Sequence, residues 1–395
     1  MKSVNNSVSR VFSKRALAIA GTAALLGGCS VIPKTGPSET AGPVTAPTPE
    51  PSATALPTDA TRHRVALLVP MGGNTAEVGR SIANATTMAL LDTNANNLRL
   101  TTYDTSKGAA SAARKAIADG NKLILGPLLA ENVPAVQAAA RPANVPAISF
   151  SNDIRVASAD VFLMGHVPEQ SIRRSVAYAR ERGSNNFAAL VPEGTYGQRS
   201  FDALNNALND FGGNLVGSAS YARGNTSIVS AAQRLRAAGG YDTVVIADGA
   251  RLAVLAAAEV KSSGADGTRI LGTELWSGES VLTRSNAIDG ALFSAVSDGR
   301  FKRFADSYEG RFGSKPYRIA TLGYDSVLLT LRVARDWRVG RDFPTAMLFD
   351  RGGFLGVDGP FRFGRDGIAE RALEVREVRG NSVVPVDAAP SSFPR

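Results

Sequence analysis

The stretch Lys122–Asp153, KLILGPLLAENVPAVQAAARPANVPAISFSND, decides the fold. It opens with the apolar run Leu123–Leu125, stopped by Gly126-Pro127. Short apolar runs ended this way are strands of a sheet covered on both faces. Val133, Val136 and Ala140 then recur at helical spacing, predicting a helix over Glu131–Ala140 that Pro142 ends. Asn144-Val145-Pro146 turns the chain into a second run, Ala147–Phe150. Strand, helix, strand implies two parallel strands with a crossover. In such sheets ligands gather outside the carboxyl ends of the strands, where the loops Gly126–Ala130 and Ser149–Asp153 lie. These loops are expected to form one wall of a binding cleft.

The alternation continues in both directions. Before this stretch come strands at Arg64–Val69 and Leu98–Tyr103 and helices at Ala76–Asp92 and Ala109–Asp119. Val161–Met164 is a short strand that could carry the chain to another lobe. A second set follows: helix Pro168–Arg182, strand Phe187–Val191, helix Ser200–Asp210, strand Leu215–Tyr221, helix Ser227–Ala238, strand Thr243–Ala247, helix Arg251–Ser262 and strand Arg269–Gly272. Ala291–Val296 reads as a return crossover, followed by helices at Phe301–Phe312 and Ile319–Arg338. From Gly353 onward, Val357-Asp358-Gly359-Pro360 and Arg365-Asp366-Gly367 are turn chemistry between short alternating runs, predicting hairpins. Two such sets imply an α/β chain of two doubly wound three-layer lobes joined by hinge crossovers. The expected division gives 62–165 plus 297–345 to lobe 1, and 166–296 plus 346–395 to lobe 2.

With 395 residues and 44% hydrophobic content, the chain can bury two domain cores. Its single cysteine excludes an internal disulfide, and His63 and His166 have no ligand partners at metal spacing. No dense basic block with interleaved aromatics points to nucleic acid. There is no G-x-S-x-G elbow, Walker loop, G-x-G-x-x-G or H-E-x-x-H, so neither an enzyme nor a cofactor is expected.

Residues 1–28 read as an export signal. Lys14-Arg15 precede the apolar run Ala16–Leu26, which is shorter than the roughly 20 residues a membrane span needs. Removing Lys2, Arg10, Lys14 and Arg15, with no acid among these residues, lowers the net charge from +9 to +5. Leu26-Gly27-Gly28-Cys29 resembles the bacterial lipobox, which implies lipidation of Cys29 and a membrane anchor. Ser30, where an Asp is absent, favours the outer membrane under the sorting rules of enteric bacteria. Residues 29–61 are Pro-rich and poor in apolar side chains, predicting a disordered linker that reaches at most roughly 90 Å.

Segments spread over nearly all of 64–385 resemble the type I periplasmic binding proteins of the leucine/isoleucine/valine-binding branch. They include RVALLVPMGGNTAEVG, LILGPLLAENVPAV, VPAISFSND, FAALVPEGTYGQ, ILGTELW, FADSYEGRFGSKP, Gly323-Tyr324-Asp325 and GVDGPFRFGRDG. The resemblance implies lobes joined by three crossovers and closing on a small solute, amino-acid-like or peptide, with an ABC permease as a further partner. It places Glu274 where the family has the acid that pairs with the ligand ammonium. The loop Leu128-Leu129-Ala130 lacks the hydroxyl that amino-acid-binding members use for the ligand carboxylate, while Ser149, Ser151 and Asn152 keep polar groups nearby. Tyr196 and Asp248 complete the candidate set. Tyr196 could stack on a ligand or pack the hinge, and Trp276 could be core or a ligand platform. LGPLLAENV with YDS also resembles the C-terminal domain of lipoprotein activators of penicillin-binding proteins, which implies a peptidoglycan synthase as the alternative partner.

Overall fold

A computed structural model describes residues 61–224, 226–261 and 267–393. The signal segment, Cys29 and nearly all of the expected linker lie outside these residues. The first lobe begins with β1 (His63–Val69), α1 (Ala76–Asp92), β2 (Leu98–Asp104), α2 (Ala109–Ala118), β3 (Leu123–Leu125), α3 (Val133–Ala140), β4 (Ala147–Ser149) and β5 (Val161–Leu163). Its strands form one parallel sheet in the order β2-β1-β3-β4-β5. Alternate residues of β1 explain why the run is continuously apolar. Val65, Leu67 and Val69 enter one core, and Ala66 and Leu68 enter the core on the opposite face.

The stretch that predicted this lobe folds as strand, helix, strand. Ile124 pairs with Ala147 and Leu125 with Ile148, in parallel. The helix is two-part: a 3-10 turn at Ala130–Asn132, then α3 with a proline in its first turn, where a missing N–H breaks no intrahelical bond.

The second lobe continues with α4 (Pro168–Glu181), β6 (Asn186–Pro192), α5 (Thr195–Phe211), β7 (Asn214–Tyr221), α6 (Ser227–Ala238), β8 (Thr243–Ile246), α7 (Ala250–Lys261), β9 (Arg269–Leu271) and β10 (Leu292–Val296). Helix α1 of the first lobe and α5 of the second start the same way. A Cβ on Gly79 of α1 would fall 1.8 Å from the Pro70 carbonyl oxygen, and one on Gly197 of α5 would fall 1.7 Å from that of Pro192. Only glycine lets each helix approach the proline-ended strand so closely.

The chain then returns through α8 (Phe301–Phe312) and α9 (Thr321–Val333) to the first lobe. Here β11 (Phe354–Gly356), β12 (Gly359–Phe363) and β13 (Ala369–Arg371) form a small antiparallel sheet. Finally β14 (Leu373–Arg379) and β15 (Ser382–Asp387) join the second lobe, whose sheet runs β15-β14-β10-β9-β8-β6-β7. The chain therefore passes between lobes three times, after β5, β10 and β13.

Three expectations change. Residues 346–395 do not go wholly to the second lobe: Phe354, Phe361, Phe363 and Ala369 share the first lobe's core with Phe162 and Leu348. Phe363 meets Phe162 edge-on at 5.7 Å. The alternation predicted hairpins but carried no information about which core their aromatics would meet. Ala291–Val296 is not itself a crossover, because β10 pairs with β9 and β14 inside the second sheet. The helix expected over Ile319–Arg338 is shorter, with a 3-10 turn at Arg318–Ala320 leading into α9. Among the described residues, no helix is long and apolar enough to cross a membrane, and no cluster of His, Cys, Asp or Glu could hold a metal.

Candidate functional site

A cavity of about 400 Å³ lies between the two lobes. The loops after β3 and β4 supply Leu128, Leu129, Phe150 and Asn152 from the first lobe. The segment after β9 supplies Glu274, Leu275, Ser277 and Glu279 from the second. Tyr317, Arg318 and Ile319 enter from the turn before α9, and His166 from the first crossover. The cavity is thus greasy on the first-lobe side and acidic on the other.

Ser149 and Ser151 build this wall and do not present their hydroxyls to it. Both are buried. Ser149 Oγ donates to the Pro127 carbonyl at 2.8 Å and accepts from the Ser151 amide at 3.1 Å. Ser151 Oγ accepts from the Asp153 amide at 3.0 Å. Short polar side chains at strand ends often bond to their own backbone in this way. Here they tie the two loops together, and Asn152 is left as the polar side chain of this wall.

Glu274 is the central polar group of the opposite wall. Tyr196 Oη donates to its Oε1 at 2.9 Å and lies 3.0 Å from Thr273 Oγ1. The Oε2 atom is buried and has no hydrogen-bond partner among the described residues. Neither Arg269 nor Arg284 pairs with it: Arg284 Nη2 donates to Ser280 Oγ at 2.6 Å, and Arg269 donates to Ser184 Oγ. Burial pushes the Glu274 carboxyl up to about 8, and the charge of Glu169 adds to this; Tyr196 and Arg199 oppose it without prevailing. Tyr196 therefore positions Glu274 and does not form an open stacking platform. Its ring faces the Arg223 guanidinium at 5.2 Å.

Asp248 stands apart from the cavity, contrary to expectation. Its carboxylate accepts from Tyr221 Oη at 2.8 Å, Arg223 Nε at 2.9 Å and the Gly249 amide at 2.7 Å. The Trp276 indole, fully buried, donates to the Asp248 carbonyl at 2.9 Å. Trp276 is therefore core and not a ligand platform. A Cβ on Gly272 would strike its ring at 2.2 Å.

Sequence reasoning missed Arg318 and Asp358. Arg318 Nη1 donates to Asp358 Oδ1 at 2.6 Å, and its guanidinium lies 4.3 Å from the centre of the Phe301 ring. Asp358 is fully buried. It also accepts from Thr321 Oγ1 at 2.9 Å and meets His166 Nε2 at 2.9 Å. Burial opposes its charge, but Arg318, His166 and Arg371 together hold the carboxyl well below the ordinary range. Burial and the Asp358 charge push the neighbouring Asp325 up to about 7, although the Val357 and Asp358 amides point at it. His166 moves the other way: burial and then Arg371 lower it, against the raising effect of the Asp358 carboxylate beside Nε2. One signal for this network was present in the sequence. Arg318 precedes the N-terminus of a helix, where the macrodipole disfavours a cation unless a carboxylate offsets it.

Residues 63–382 match a family model described as periplasmic binding protein. An uncharacterized protein of Rickettsia prowazekii, RP748, is 30% identical over 146 residues, which cover 36% of this chain and 39% of that protein. The penicillin-binding protein activator LpoA of Photobacterium profundum is 28% identical over 145 residues, covering 36% of this chain and 24% of LpoA. The chain thus spans well under half the length of either curated relative. The crystal structure of leucine binding protein LivK from Thermotoga maritima superposes with a TM-score of 0.65 at 19% identity, covering 83% of this chain and 98% of LivK. That likeness concerns the fold.

Proposed function

Because the chain belongs to the periplasmic binding protein family, we propose that it holds a small amino-acid-like solute, or the amino-terminal end of a peptide, between its lobes. The observation carrying this reading is the pairing of the Leu128, Leu129, Phe150 and Ile319 wall with the Glu274 carboxyl across one cavity. Pockets of this kind take most of their contact from apolar side chains and their orientation from a few polar groups. The ligand ammonium sits at Glu274, its apolar side chain lies on the first-lobe wall, and its carboxyl end faces Asn152 and Arg318. Arg318 supplies the charge that the hydroxyl-free loop Leu128-Leu129-Ala130 cannot. A permease is the partner this reading expects.

Leucine is the probe that tests it. At 100 times its Kd a ligand stabilises the fold by about 2.7 kcal/mol, which a thermal shift detects. Glu274→Gln is expected to weaken leucine at least tenfold, with little change in the unliganded melting point near pH 4.5, below the range in which the buried carboxyl opposes folding, and a higher one near neutral pH. The pH dependence has a definite sign. Glu274 is neutral below its pKa of about 8, so leucine affinity rises from pH 6 to 7.5, by at most about tenfold per unit. The dependence disappears in Glu274→Gln. The unliganded fold, conversely, loses stability as pH climbs from the ordinary carboxylate range towards 8, because the unfolded chain gives up this proton first. Equal, pH-independent binding by both forms removes Glu274 from the site.

A second reading, a regulator that touches a peptidoglycan synthase, draws its support from the similarity to LpoA. It predicts retention of a penicillin-binding protein on the immobilised chain with no solute required. Either role places the protein in the periplasm, tethered through Cys29. Cys29→Ala is then expected to move the protein from the membrane pellet to the soluble periplasmic fraction. A variant that stays in the pellet counts against lipidation.

A further inference from the structure

Beside the interlobe cavity lies a second, polar groove of about 500 Å³, and Tyr317 lines both. One face of α1 forms its floor: Glu77, Arg80, Ser81 and Asn84 recur at helical spacing. The opposite rim is the segment Ser314–Tyr317 after α8. The groove is held in shape by its own bonds. The Tyr317 amide donates to Ser81 Oγ at 3.1 Å, Tyr317 Oη donates to Glu77 Oε2 at 2.9 Å, and Asn84 Nδ2 donates to Tyr308 Oη at 3.0 Å. Ser81 and Tyr308 are themselves buried.

These bonds engage Glu77, the one carboxylate of the groove, and leave two cations without such a partner. Arg80 and Lys315 are both exposed. Among the described residues, neither forms an ion pair with a carboxylate. A ligand group that fits here is therefore an anion. Its proximity to the main cavity, across a single shared side chain, suggests that both spaces receive one molecule.

We propose that the groove is a subsite for the carboxyl terminus of a short peptide whose first residue occupies the interlobe cavity. This rests on the reading that Glu274 takes the ammonium end. The peptide enters ammonium first, lays an apolar side chain on Leu128 and Phe150, passes Tyr317, and ends between Arg80 and Lys315. An extended tripeptide spans about 10 Å, enough to pass one side chain. A free amino acid reaches only the first cavity, so Arg318 and Asn152 receive its carboxylate, whereas a peptide uses the more distant pair.

Calorimetry with the full chain tests the idea, using leucine, Leu-Gly-Gly, and Leu-Gly-Gly amidated at its C-terminus. The acid form of the tripeptide is expected to bind at least tenfold more tightly than the amide. The double substitution Arg80→Ala with Lys315→Ala, both on exposed side chains, should erase that difference and leave leucine affinity where it was. Equal affinity for acid and amide, or a preference that survives the double substitution, overturns the subsite while leucine binding keeps the cleft reading intact. If none of the three binds, both fall together.

Discussion

Asp358→Ala is expected to destabilise the unliganded protein by about 3–5 kcal/mol, the range found when one partner of a buried ion pair is removed. The substitution removes the fully buried carboxylate that Arg318 Nη1, Thr321 Oγ1 and His166 Nε2 share. The loss is read as a lower urea midpoint. It has a binding counterpart, because Asp358 holds the guanidinium that lines the interlobe cavity. Leucine affinity should therefore fall together with stability. Asp358→Asn keeps the shape and one acceptor oxygen and should fall less on both readouts. A urea midpoint for Asp358→Ala within error of wild type would show that the network is not what holds the crossovers together.

Trp276→Ala has the next largest expected effect, again about 3–5 kcal/mol, the usual result of emptying a buried aromatic site. The indole is completely enclosed, packs 5.7 Å from the Phe293 ring and donates to the Asp248 carbonyl. It also follows Glu274 by two residues in the same 3-10 turn. Losing it should loosen that turn and weaken leucine as well. Glu274→Gln separates the two roles, since it should weaken binding without lowering stability. If Trp276→Ala weakened ligand binding while leaving the urea midpoint unchanged, the side chain would be a ligand platform after all.

The two serines show where reading residues one by one stops. Ser149 and Ser151 carry the right chemistry at the right end of the right strand, and the sequence placed them at the cleft. Their hydroxyls point to backbone two residues away or across the neighbouring loop. A residue type announces that a hydrogen bond is needed; it does not say whether a ligand or the chain will supply it. Asp248 makes the same point, because Tyr221 and Arg223 arrive from β7, on the far side of β6, and the turn beyond it to occupy its carboxylate. Asn152 and Glu274 do line the cavity.

The order of strands and helices, their parallel pairing and the presence of two lobes were written into the chain itself. Apolar runs of strand length punctuated by Gly and Pro, alternating with stripes at helical spacing, are local patterns that leave few other ways to cover a sheet on both faces. The destination of the hairpins at Phe354–Ala369 and the pairing of Arg318 with Asp358 were not local. The two partners are 40 residues apart in sequence, and His166 is 192 from Asp358. Only when three crossovers converge do these side chains meet around one fully buried carboxylate, where an unmatched charge is costly enough to select its neighbours. The tertiary structure thus decided which polar groups serve the cleft and which are spent on holding it.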